Sequence, residues 1–214
     1  MAGLQTKIEL LESKQKIWRR LILPDHLSFR RFHRAIQIAM GWQDYHLYEF
    51  IFKQENLRIT NDEEVYNDAK QAIAMYKGKT ITEEMDPFGF IKRSLENEVK
   101  LSHEVKINSY LQKYKTLEYV YDFGDYWQHQ ITVEKVIDEY DQIYPEVIEW
   151  EGDCPPEDVG GPGGYQEFLS VIKNPKDSDY KETKVWAKSQ GYKPYDVEQV
   201  NKTLKTRFSI KELM

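Results

Sequence analysis

The chain has a single cysteine, Cys154, in 214 residues, so no intramolecular disulfide can form and a cysteine-built zinc knuckle is excluded. It has no long uninterrupted apolar run. The first residues, MAGLQTKIELLESKQKIW, mix charged and apolar side chains and offer neither the apolar stretch of a signal peptide nor a membrane span. Together these absences lead to the expectation of a cytoplasmic protein with no membrane partner. Also missing are the short motifs that announce a chemistry. There is no HExxH, no calcium-loop spacing, no GxSxG elbow, and no glycine-rich phosphate cradle leading into a basic helix. The chain is not basic either: its formal net charge is −6, which speaks against a general nucleic-acid binder.

What is present describes a packed fold. Aromatic residues make up 14% of the chain, too many for a disordered segment despite 31% charged residues. At this size the chain can bury a core without staples. Residues 4–12 alternate as a strand continuing toward Leu21, Ile22 and Leu23, with Pro24 and Asp25 as a stop. LSFRRFHRAIQIAMGW then has a helical pattern, with Ser28 as cap, Phe29, Phe32, Ile36 and Met40 on one face, and Gly41 at the end. His33 sits at the border of that face. Residues 46–52 alternate as a buried strand, 54–79 read as a loop or weak helix, and 94–112 as an amphipathic helix.

TLEYVYDF and WQHQITVEKVI follow as two β-rich runs joined at Gly124 and Asp125, the strongest hairpin signal in the chain. EVIEW is a further short strand. Residues 151–164 hold three prolines and five glycines, a mixture that specifies an irregular backbone path. Three closing helices complete the pattern, the second ended by Gly191. With no repeat, linker or regular βαβ alternation, the expectation is one α+β domain over 1–214, a mainly antiparallel sheet packed by helices.

Two groups of side chains could carry chemistry. Asp122, Asp125 and His129 cluster around the hairpin turn, where carboxylates and imidazole can hold a divalent metal or exchange protons. The plainer alternative is that the aspartates brace the turn and His129 lies on the sheet surface. The second group is Asp153, Cys154, Glu157 and Asp158 in the proline-glycine loop, which can hold a cation or cap neighbouring backbone groups. Acidic neighbours raise the Cys154 thiol and disfavour it as a nucleophile. His46, at the head of a strand, faces either the same cleft or a buried hydrogen bond. Residues 1–60 carry ten Lys/Arg against six Asp/Glu, and Arg19, Arg20, Arg30, Arg31 and Arg34 form a possible nucleic-acid patch. A solvated helix face is favoured over it, because no aromatic platform interleaves the charges.

Three blocks, WRRLILPDHLSFRRFHRAIQIAMGWQDYHLYEF, YVYDFGDYWQHQITVEKV and CPPEDVGGPGGYQEFL, resemble the plasmid pRiA4b ORF-3-like family in their order and over nearly the whole length. The resemblance implies an α+β fold and brings no established activity. It marks His46, Asp122, Asp125, His129, Cys154, Glu157 and Asp158 as the recurring polar positions. Many members have another cysteine shortly before the CPPED block. None stands near Trp150 here, which counts against a paired-cysteine metal site. The family's occurrence on plasmids and mobile elements hints at a DNA-related accessory role. Three readings follow: a binding or accessory module with a cleft between the DFGD hairpin and the CPPED-GG loop, a metal-dependent enzyme with hydrolysis as its candidate reaction, and a DNA-associated accessory protein.

Overall fold

A computed structural model describes residues 1–209; residues 210–214 of the expected 1–214 domain lie outside the described residues. Eight strands form one sheet of order β5-β4-β3-β6-β7-β1-β2-β8, antiparallel at every pairing except β4 with β5. The chain builds it as follows. β1 (Gly3–Leu10) and β2 (Trp18–Pro24) are two arms of a hairpin closed by the Leu10 N–H to the Ile17 carbonyl. The single strand expected to run from residue 4 toward Leu23 is thus interrupted by a reversal. Its polar residues 12–16 leave the ladder, and Glu12 takes a left-handed φ of 58°.

α1 (Phe29–Met40) forms as the spacing predicts: the Ser28 hydroxyl accepts from the Arg31 N–H, and Gly41 closes the helix at φ 94°. Its apolar stripe lies on the sheet, where Phe29 and Phe32 meet Phe50 with ring centroids 5.0 and 5.3 Å apart. Phe50 lies in β3 (Tyr48–Phe52), whose Tyr48, Phe50 and Phe52 are buried in the expected alternation. β4 (Leu57–Thr60) and α2 (Glu63–Tyr76) occupy the stretch read as loop or weak helix. The helix is there, N-capped by Asp62, but the strand before it spans too few residues to register a period of two.

The amphipathic helix expected over 94–112 does not form. That stretch holds the end of α3 (Phe90–Glu96), then β5 (Glu98–Leu101) and the one-turn α4 (Asn108–Leu111). Val99 and Leu101 pair in parallel with Arg58 and Thr60. Here long-range ladder bonds outweigh a local helical pattern, the usual way tertiary context overrides propensity.

β6 (Thr116–Tyr121) and β7 (Trp127–Ile137) make the expected hairpin, with Tyr119 opposite His129 and Tyr121 opposite Trp127. β8 (Glu146–Glu151) closes the far edge against β2. The closing helices are α5 (Gly161–Ile172), α6 (Tyr180–Ser189) and α7 (Val197–Ser209). Residues 161–164, read as loop, already belong to α5. Pro162 fits the first helical turn, where a missing N–H leaves no bond unmade. Among the described residues no helix is long and apolar enough to cross a membrane.

Candidate functional site

Sheet topology brings three irregular segments to one end of the sheet. β3 and β6 are neighbours in antiparallel register, Tyr48 opposite Tyr121, so the loop entering β3 and the turn leaving β6 must lie side by side. The Asp122 N–H donates to the Leu47 carbonyl at 2.9 Å and ties them. The proline-glycine loop arrives from the opposite edge and docks on both. Trp42 Nε1 donates to the Pro155 carbonyl at 3.0 Å, and the Gly160 N–H donates to Asp125 Oδ2 at 3.1 Å. Gly161 is required for this approach: at φ 68° it is left-handed, and a Cβ there would stand 2.6 Å from the Asp125 carbonyl oxygen.

The loop over residues 43–45 is fixed through three consecutive amides, each donating to a side chain from a different element. Gln43 N–H reaches Glu157 Oε1 at 2.8 Å, Asp44 N–H reaches Gln37 Oε1 at 3.1 Å, and Tyr45 N–H reaches the Tyr121 hydroxyl at 3.1 Å. His46 is therefore presented by a braced backbone. Its Nε2 lies 3.1 Å from Asp158 Oδ1, 3.6 Å from Asp122 Oδ2 and 3.9 Å from Glu157 Oε2. One ligand atom each from His46, Asp122 and Asp158 falls within 4.8 Å of the others, a spacing that one divalent ion can bridge.

Glu157 lies behind this trio and is only 2% exposed. It accepts from the Gln43 N–H and from the Tyr121 hydroxyl, the latter at 3.1 Å. Burial pushes its carboxyl pKa up, against the opposing pull of those two donors and of His46. Burial and then the Glu157 charge likewise push the Tyr121 hydroxyl well above its ordinary value.

Of the residues singled out from the sequence, His46, Asp122, Glu157 and Asp158 converge. Asp125 stands beside them and braces the proline-glycine loop through Gly160. Asp122 also closes its own turn, Oδ1 accepting from the Gly124 N–H at 2.9 Å. His129 lies apart. It is fully buried in β7, with Nδ1 3.0 Å from the Trp127 carbonyl, so it lies neither at the turn nor on a solvated sheet surface. Burial lowers its pKa to about 4. Cys154 packs against the core, and burial raises its thiol pKa. The acids Glu157 and Asp153 add to this only after burial, so the cause differs from the neighbouring charge invoked from sequence.

The five arginines do not share one surface. Arg19 is fully buried. Its Nε donates to the Ala39 carbonyl, its Nη1 to the Trp18 and Glu151 carbonyls, and its guanidinium lies 3.8 Å from the Tyr195 ring centroid. Arg20 is held by Glu134 and Glu149. Arg30, Arg31 and Arg34 lie on α1, Arg31 reaching the Phe208 carbonyl at 3.2 Å and covering its ring.

A polar network beneath the site was not anticipated. His33 is buried and stacks on Tyr48 with ring centroids 3.5 Å apart. Its Nδ1 is 2.8 Å from the Tyr119 hydroxyl, its Nε2 is 2.6 Å from Asp44 Oδ1, and Gln37 Nε2 donates to the same tyrosine at 3.1 Å. Burial lowers the His33 pKa although Asp44 opposes the shift. A signal existed in the sequence: Phe29, His33, Ile36 and Met40 follow helical spacing, which puts His33 on the apolar stripe.

Comparison with known proteins agrees with this architecture. The chain is 31% identical over 186 residues to the uncharacterized protein y4hQ of Sinorhizobium fredii (strain NBRC 101917 / NGR234), covering 87% of this chain and 81% of that one. The crystal structure of MM3350, a protein of unknown function from Methanosarcina mazei Go1, shares the fold with a TM-score of 0.66. That match has 24% identity and covers 92% of this chain and 97% of that one. The family model described as plasmid pRiA4b ORF-3-like protein matches residues 2–203, and the chain belongs to that family.

Proposed function

We propose that this chain is a cytoplasmic ligand-binding module built around a divalent cation held by His46, Asp122 and Asp158. The observation that carries the reading is the approach of their three ligand atoms to within 4.8 Å of one another. These side chains come from three separate segments that nothing local requires to meet. One imidazole with two carboxylates suits manganese, zinc or iron(II) rather than a soft thiolate-seeking ion. Three protein ligands leave coordination positions for a second molecule. The cytoplasmic assignment draws on the single cysteine and the absence of a long apolar run.

A metal-dependent hydrolase is the second reading, and Glu157 is the observation in its favour. A buried carboxylate whose pKa is raised, beside a bound ion, can take the proton of an activated water. A DNA-associated role has less support, since of its five arginines Arg19 is enclosed and Arg20 is paired.

Metal analysis of protein purified without added metal, followed by titration with manganese(II) and zinc(II), tests the proposal. Binding of one ion per chain is expected. Asp158→Asn should abolish it with little change in melting temperature, whereas Asp125→Asn should retain it. If neither ion binds, the converged side chains are architecture.

A further inference from the structure

Apolar side chains scattered singly over a surface need no explanation, whereas a group gathered beside a polar site marks a contact surface. Tyr45 is 69% exposed, Leu47 42%, Phe123 39% and Tyr126 49%. All four belong to the segments that carry the cation ligands. Tyr45 and Leu47 flank His46, Phe123 follows Asp122, and the Tyr126 N–H donates to the Asp122 carbonyl at 2.6 Å. Tyr126 also sits at a left-handed φ of 56°, a conformation open to Gly or Asn and unusual for a bulky side chain. Turn geometry alone would favour a smaller residue, so the half-exposed ring is what the position gains from tyrosine.

The rim and the ion ask for different things of one ligand. Without a cation, Asp122, Glu157 and Asp158 repel an anion; a divalent ion cancels most of that charge and leaves positions at which an anionic group can complete the coordination. The faces of Tyr and Phe stack on planar rings of any substitution pattern. From this geometry we infer that the site takes an anionic ligand bearing a planar ring, its phosphate or carboxylate on the cation and its ring against Phe123 and Tyr126. This inference rests on the cation reading above.

Phenyl phosphate and inorganic phosphate form the probe pair, titrated calorimetrically into the full chain with and without manganese(II). Phenyl phosphate should bind the manganese-loaded protein about ten-fold more tightly than inorganic phosphate, the scale of one ring stacked on an aromatic platform. Neither should bind the metal-free protein. Phe123→Ser with Tyr126→Asn should erase the ten-fold difference while keeping manganese affinity, and asparagine's tolerance of left-handed φ should keep the turn folded. Equal affinities for the two probes, a difference that survives in the double variant, or phenyl phosphate binding without metal would each overturn the inference and leave the cation reading standing. Absence of manganese binding would overturn both.

Discussion

His33 Nε2 stands 2.6 Å from Asp44 Oδ1 while Nδ1 of the same ring stands 2.8 Å from the Tyr119 hydroxyl, so one buried imidazole joins the loop that presents His46 to the middle of the sheet. Asp44→Ala removes the loop half of this bridge and strands a polar ring nitrogen, a loss of about 1–3 kcal/mol. It also puts alanine at a left-handed φ of 61°. Asp44→Asn keeps both the acceptor and the tolerance of that φ. Chemical denaturation should show a clear loss for alanine and a small one for asparagine, and manganese affinity should fall in the same order because the loop carries His46.

Acid should destabilise the protein through its buried histidines. His129 titrates near 4 when folded against an ordinary value of 6.5, and His33 is shifted the same way, both by burial. Folded-state values below the unfolded value mean that the unfolded chain binds more protons between pH 6.5 and 4. The stability contribution is therefore complete above 6.5 and drains as pH falls through that window, by at most about 3 kcal/mol for His129. Urea unfolding across pH 7 to 4 measures the slope, and His129→Leu should flatten it.

Two glycines two residues apart should respond differently. Gly161→Ala places a methyl group against the Asp125 carbonyl and at a left-handed φ, so it should destabilise the protein and weaken cation binding. Gly163 lies inside α5 with open space at its Cβ, and Gly163→Ala should leave the melting temperature unchanged or raise it by the equivalent of up to about 1 kcal/mol. Thermal melts of the two variants decide the point.

Arg19→Ala empties a stack against Tyr195 and removes three hydrogen bonds to carbonyls. It should cost about 3 kcal/mol or more of stability, while Arg30→Ala, on an exposed position of α1, should stay within about 0.5 kcal/mol. The comparison by denaturant midpoint separates an architectural arginine from a surface one.

Local chemistry announced much of this molecule. The cap at Ser28, the stop at Gly41, the stripe of α1, the alternation around Phe50 and the β6–β7 turn all rest on neighbours a few residues apart, and each is where the pattern put it. His46, Asp122, Glu157 and Asp158 were legible as residue types because polar groups beside turns and proline-glycine segments stand out. Long-range pairing left no local mark. Leu95, Val99 and Val105 approximate a helical spacing, and parallel bonding of Val99 and Leu101 to β4 settles the matter. Proximity in the chain also misplaced His129: it is close to the turn in number, yet its own strand seats it in the core. Arg19 shows the same limit, being basic by type and enclosed by packing. Which carboxylates meet His46 follows from the order of strands in the sheet and from a glycine that admits close backbone contact. Contacts between segments more than a hundred residues apart exist only once the chain has closed on itself, whereas periodicity, caps and turns are written within a few residues of one another.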